Sequence, residues 1–174
     1  MGMIQNALLL FCVSLALLLS GCDAIGSDQP DPNRSADQRL LFVGNSFTFY
    51  YDVDQMVARI LEDVVPEWDD VLAVRVAPGG YQLSQHAVDA RSNPRSDLAR
   101  YLINGDATLR DWDLVVFQGQ SQVMGFDNRL PVKQELDEGL TDLARLARDN
   151  GATVMLYMTW GYADGDESNP NLYS

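Results

Sequence analysis

Leu40-Leu41-Phe42-Val43-Gly44-Asn45-Ser46-Phe47-Thr48 is an apolar run that breaks off at a glycine, a small polar residue and a serine. Consecutive apolar residues without polar alternation are what a strand covered on both faces requires. A serine at the carboxyl end of such a strand, just ahead of a helix, is lifted out of the sheet toward the first free N–H groups of that helix. That placement makes Ser46 a candidate nucleophile and suits acyl transfer.

Three further runs of the same kind lie downstream, over residues 71–76, 114–117 and 153–158. The segments between them are long enough for the helical crossovers that parallel strands need. Val53, Met56, Val57, Ile60, Leu61 and Val64 recur at helical spacing ahead of Pro66, which predicts a helix with all six on its inner face. From Pro131 to Asp149, Leu136, Leu140, Leu143 and Leu146 recur in the same way, with Asn150-Gly151 as the stop. Between Leu83 and Ile103 the pattern predicts a helix over 85–90, a break near Pro94 and a second helix over 96–103. The expected fold class is α/β, a three-layer α/β/α arrangement with a mostly parallel sheet. After the fourth run the chain turns polar from Ala163 to Pro170 and reaches Ser174 with no further helix to cover the sheet, which predicts a domain incomplete at its carboxyl end.

At the other end, residues 7–19 are almost unbroken apolar sequence, followed by Ser20-Gly21-Cys22. The run is shorter than the ~20 residues of a membrane-spanning helix and is followed by small residues, as a cleavable secretory signal is. Leu19-Ser20-Gly21-Cys22 resembles the lipobox of bacterial lipoproteins, although Met1 to Asn6 lacks the basic residues such signals usually carry. The resemblance implies cleavage before Cys22, lipidation of Cys22, and a body held at the cell-envelope membrane, facing periplasm or exterior. The expected organisation is residues 1–21 as signal peptide, 22–38 as a flexible polar tether broken by Pro30 and Pro32, and 39–174 as the α/β domain. Cys12 and Cys22 are the two cysteines, so the mature body has no internal disulfide and packing must supply its stability. With 25 acidic against 12 basic residues and a net charge of −13, nucleic acid is a poor partner.

Three predicted strand ends carry unusual residues: Gly44-Asn45-Ser46, Pro78-Gly79-Gly80, and Gln118-Gly119-Gln120-Ser121-Gln122. In a parallel sheet these loops meet at the carboxyl edge, where ligands of open α/β sheets bind. A serine, a glycine N–H and a side-chain amide facing one point make a nucleophile with an oxyanion hole. Each also has a purely structural reading: Ser46 as a helix N-cap, Gly80 as a turn residue of positive φ, Gln120 as a surface amide.

The three blocks, in this order, resemble the SGNH hydrolase superfamily of GDSL-type esterases and lipases, over roughly residues 40–162. Gly44-Asn45-Ser46-Phe47-Thr48 is similar to the first block, with asparagine where aspartate is commonest. Gly79-Gly80 is similar to the second, and Gln118-Gly119-Gln120-Ser121 stands where the third has Gly-x-Asn-Asp, close to the Gln-Gly-Glu-Ser form of carbohydrate acetylesterases. The resemblance implies a flavodoxin-like sheet arrangement and Ser46 as catalytic nucleophile, with the N–H groups of Ser46 and Gly80 and the Gln120 amide as oxyanion donors. It also implies small-molecule or glycan esters as substrates, and no metal or organic cofactor. In this family the base and its orienting carboxylate come from a late Asp-x-x-His block, and no histidine follows Gly161. His86, the one histidine, reads as a helix-surface residue sooner than as the base, and Asp164, Asp166 and Glu167 offer carboxylates without one. The chain by itself is therefore expected to be inactive or nearly so. Two other classes stay open: a non-catalytic ligand-binding lipoprotein, and a flavodoxin-like module whose first loop wraps a phosphate or flavin, against which Phe47 and Phe49 interrupt the small-residue loop.

Overall fold

The computed structural model describes residues 29–120, 123, 126 and 129–159. Its four strands are β1 (Gln38–Val43), β2 (Val71–Val76), β3 (Leu114–Gln118) and β4 (Thr153–Tyr157). They are all parallel, in the order β2-β1-β3-β4. The six described helices are α1 (Ser46–Phe49), α2 (Val53–Val64), α3 (Leu83–Ser92), α4 (Asp97–Ala99), α5 (Ala107–Arg110) and α6 (Pro131–Asp149). This is the three-layer α/β/α arrangement expected from the apolar runs.

Alternate residues of β1, β2 and β3 feed two separate cores. Leu41, Val43, Leu72, Val74, Val115 and Phe117 pack under α3 and α6. Leu40, Phe42, Val71, Ala73 and Val116 face α2 on the opposite side. Burial on both faces is why residues 40–43 of β1 and 71–74 of β2 read as unbroken apolar runs.

Four expectations need correction. The inner face of α2 is narrower than its periodicity indicated, since Met56, Ile60 and Val64 are exposed while Asp54 and Ala58 are buried. The reason is a charge: Asp54 is turned fully inward to pair with Arg75 of β2 at 2.7 Å, which rotates the apolar stripe off the sheet. The helix expected over 96–103 is the single turn α4, continued as a π-helical turn over Arg100–Asn104. The fourth strand is covered less than its composition implied: Met155 and Leu156, on opposite faces, are both about half exposed, and on the face of Met155 α2 lies over β1 and β2 while no described helix covers β4. The segment read as tether is docked from Gln29 onward. The Gln29 side chain accepts from Arg75 N at 2.8 Å, Arg34 pairs with Asp70 at 2.6 Å, and Asp37 accepts from the backbone N–H of Asp69 and Asp70 at 3.0 Å. No helix among the described residues is long and apolar enough to cross a membrane. Residues 1–28, Cys22 included, lie outside the described part, as do Ser121, Gln122, Asp164, Asp166 and Glu167.

Candidate active site

After β1 the chain leaves toward β2, and after β3 it leaves toward β4. The connections part between β1 and β3, and a crevice opens at their carboxyl ends. Both the serine loop and the Gln118-Gly119-Gln120 loop emerge there.

The serine loop is held by buried polar side chains. Gln118, the last residue of β3, is 2% exposed, and its Oε1 accepts from the Asn45 N–H at 2.9 Å and from Thr48 Oγ1 at 3.1 Å. Its Nε2 donates to the Gly119 carbonyl. Position 44 has to be glycine at this approach: a Cβ there would meet Gln118 Oε1 at 2.6 Å as well as the Thr48 hydroxyl. From the other side His86 closes on the same point, its Nε2 lying 2.7 Å from the Gly44 carbonyl oxygen. A carbonyl can only accept, so Nε2 carries the proton and donates.

Asn45 ties the three loops together. It is fully buried and is the N-cap of α1, with Oδ1 accepting from the Phe47 N–H at 3.2 Å. Its Nδ2 donates to the Tyr81 carbonyl at 2.9 Å and to Gln120 Oε1 at 2.9 Å. One side chain thus joins the end of β1 to the loop after β2 and the loop after β3. Ser46 is the next residue, half-buried, and the first of α1.

The structural alternatives for the sequence candidates come out differently. The N-cap is Asn45, so Ser46 is not needed for capping. Gly80 lies just before Tyr81, with φ +74 in the left-handed region that favours glycine, so its turn role is real. Gln120 is half-buried and bonded, not a free surface amide.

His86 is neither on the surface of α3 nor placed as a base. It is 2% exposed, its ring stands edge-on to Tyr81 with centroids 5.0 Å apart, and its Nε2–H is taken by Gly44. Burial pushes the imidazolium below its ordinary range, while the Gly44 carbonyl and Asp89 pull the other way. The Tyr81 hydroxyl donates to Asp89 at 2.7 Å, and that bond holds its proton more tightly than usual.

Gln118, Thr48 and Tyr81 were not singled out for roles in the sequence. A polar residue closing a buried strand is a signal that could have marked Gln118, whereas Tyr81 takes part through its backbone carbonyl and leaves no signal. A groove of about 1020 Å³ between α3 and α6 is lined by Tyr81, Gln85, Asp89, Glu135, Glu138 and Asp142 among others. Tyr81 is its link to this site; Ser46 and Gln120 do not line it.

No protein-family model matches the chain, and no curated protein matches it in sequence. Solved structures do. A mutant of Axe2, an acetyl-xylooligosaccharide esterase from Geobacillus Stearmophilus, is similar with 19% identity and a TM-score of 0.50, over 79% of this chain and 66% of that one. TesA is similar with 20% identity and a TM-score of 0.47, over 68% of this chain and 59% of that one. A GDSL-like lipase from Bacteroides thetaiotaomicron VPI-5482 gives 17% identity and a TM-score of 0.42, over 77% and 53%. The chain therefore spans less than two thirds of each of these three proteins. The likeness to Axe2 is one of fold.

Proposed function

We propose that this chain is a membrane-tethered serine esterase of the SGNH type, removing acyl groups, acetyl among them, from esters of carbohydrate or other small molecules. Ser46 attacks the ester carbonyl, and the N–H groups of Ser46 and Gly80 with the Gln120 amide hold the oxyanion. Collapse of that adduct breaks the ester C–O bond and expels the alcohol with the serine proton, and water then hydrolyses the acyl-Ser46, releasing the acid and restoring the hydroxyl. The observation that carries this reading is the pair of bonds from Asn45 Nδ2, which draws the loops after β2 and β3 to the residue next to Ser46. The esterase activity named for Axe2, and the acetylated glycan its name implies, support the same reaction class by analogy of fold.

A serine hydroxyl without a base is a weak nucleophile. His86 is committed to Gly44, so the reading predicts slow turnover by this chain, with a free coordinate for an added base. An enzyme that keeps its nucleophile and oxyanion donors but lacks one triad member still exceeds the reaction in water by ~10³-fold or more. The test follows from that. Hydrolysis of p-nitrophenyl acetate is measured with and without imidazole, subtracting the solution reaction. Wild type should show an imidazole-stimulated rate that Ser46→Ala removes and Gln120→Ala lowers by ~10² to 10³. Equal rates for wild type and Ser46→Ala would sink the proposal.

The burial of His86 favours one second reading, a lipoprotein that binds an ester or glycan without turning it over. It predicts saturable binding with no imidazole-dependent hydrolysis. Tethering is tested on its own: labelled palmitate should be incorporated by the wild type and not by Cys22→Ala.

A further inference from the structure

We infer that Asn45 is a positioning residue that decides which end of the Gln120 amide faces the reacting ester. The catalytic consequence rests on the esterase reading; the orientation itself does not.

A primary amide accepts at one end and donates at the other, and two backbone groups settle which end of Asn45 is which. The Phe47 N–H can only donate, and it lies 3.2 Å from Oδ1. The Tyr81 carbonyl can only accept, and it lies 2.9 Å from Nδ2. Asn45 is fully buried, so reversing it would set donor against donor and acceptor against acceptor out of reach of water. With its polarity fixed, Nδ2 presents its other proton to Gln120 at 2.9 Å, where only Oε1 can sit. Gln120 Nε2 is then the end turned away from Asn45, carrying two protons for a developing oxyanion. Asn45 reads the backbone and passes the result to the amide beside the nucleophile.

The same relay accounts for the residue type at 120. A glutamine has one more rotatable bond than an asparagine and holds an oxyanion poorly when free to turn. Anchoring Oε1 removes that freedom before substrate arrives, which is the preorganisation an oxyanion donor needs.

Aspartate at 45 is the discriminating change. It caps α1 as well as asparagine does. It offers only oxygen to Gln120, so the glutamine amide must turn over and spend Nε2 on residue 45, leaving Oε1 toward the oxyanion. In ¹⁵N–¹H NMR spectra of the full chain, the wild-type Asn45 side-chain amide should be protected from solvent exchange relative to the exposed Asn33. In Asn45→Asp the Gln120 side-chain amide should move downfield and become protected. In the imidazole-supplied hydrolysis assay, kcat should fall ~10² to 10³-fold, the loss of one oxyanion donor, with KM nearly unchanged.

Gln120 signals that do not respond to Asn45→Asp, or a wild-type Asn45 amide that exchanges as fast as that of Asn33, overturn the inference. An inverted amide with unchanged kcat overturns its catalytic half. Absence of any Ser46-dependent turnover refutes the esterase reading instead, and the exchange comparison still decides the orientation. Should Asn45→Asp fail to fold, Gln120→Glu serves in its place, since its carboxylate keeps an acceptor for Asn45 and puts an anionic oxygen where the donor was. Wild-type turnover in Gln120→Glu counts against the inference, and loss of Ser46-dependent turnover in a protein of native circular dichroism supports it.

Discussion

His86 grips the Gly44 carbonyl from inside the core, so the backbone just before Asn45 and Ser46 depends on a residue that can take up a proton. Burial, the largest influence on it, lowers its folded pKa, while the unfolded chain titrates near 6.5. Below pH 6.5 the unfolded state therefore binds the proton first, and stability present above that pH is lost as pH falls toward the folded value. Urea midpoints measured from pH 8 to pH 5 should decline across this window, and His86→Gln, which keeps a donor for Gly44, should flatten the decline. A slope that survives in His86→Gln would place its origin elsewhere. Asp142 cannot supply it: Arg91 and Arg145 hold its carboxyl at about 2, so its contribution is lost only between its ordinary 3.8 and that value. At this scale the sequence was informative where residue type and strand end coincide, as at Ser46 and Gln120. It misplaced His86 on the helix surface because the partner is a backbone carbonyl more than 40 positions away, which no local pattern records.

Helices α3 and α6 cross at one point of very close approach. A Cβ on Gly139 would lie 2.6 Å from Ser84 Cα and 2.7 Å from Ser84 N. Two effects oppose one another in Gly139→Ala. Removing a glycine from the interior of a helix gains about 1 kcal/mol, and overpacking a fitted contact costs ~1 to 3 kcal/mol. The atoms struck belong to the backbone of α3 and cannot turn aside, so the clash wins and Gly139→Ala should lower the thermal midpoint, with Gly139→Val lowering it further. A midpoint above wild type in Gly139→Ala would show that the helices separate freely. The consequence reaches the site, because Tyr81, Leu83 and His86 ride on the start of α3. Element by element, the strands were legible because burial on both faces writes itself as unbroken apolar sequence. The face of α2 was half legible, since periodicity counts Met56, Ile60 and Val64 as core but does not foresee that Asp54 turns inward to meet Arg75. The turn α5 was not foreseen, being too short to show a period.

The whole molecule has its polar networks at opposite ends of one sheet. The carboxyl edge carries Asn45, Gln118 and His86, and the amino edge carries Arg39 at the start of β1. Arg39 is only 6% exposed, and its guanidinium donates to the carbonyls of Asp111 at 2.6 Å, Arg34 at 2.6 Å, Pro32 at 2.8 Å and Thr108 at 2.8 Å. It also lies 4.9 Å over the Trp112 ring. Such a fork joins three separate stretches: the segment before β1, the strand itself, and the loop that enters β3. A lysine keeps the charge but offers a point donor, so it cannot reach carbonyls on opposite sides at once. Each buried carbonyl left without a donor costs ~1 to 3 kcal/mol. Arg39→Lys should therefore destabilise the fold by ~2 kcal/mol or more, read as a lower urea midpoint, and should speed proteolysis at residues 29–37, which the fork pins down. Because the two networks share only the rigid sheet between them, KM for an ester substrate should stay at its wild-type value wherever the variant is folded. A shift in KM without a shift in the urea midpoint would mean that the amino edge and the serine loop are coupled through β1, and that the sheet transmits strain between its ends.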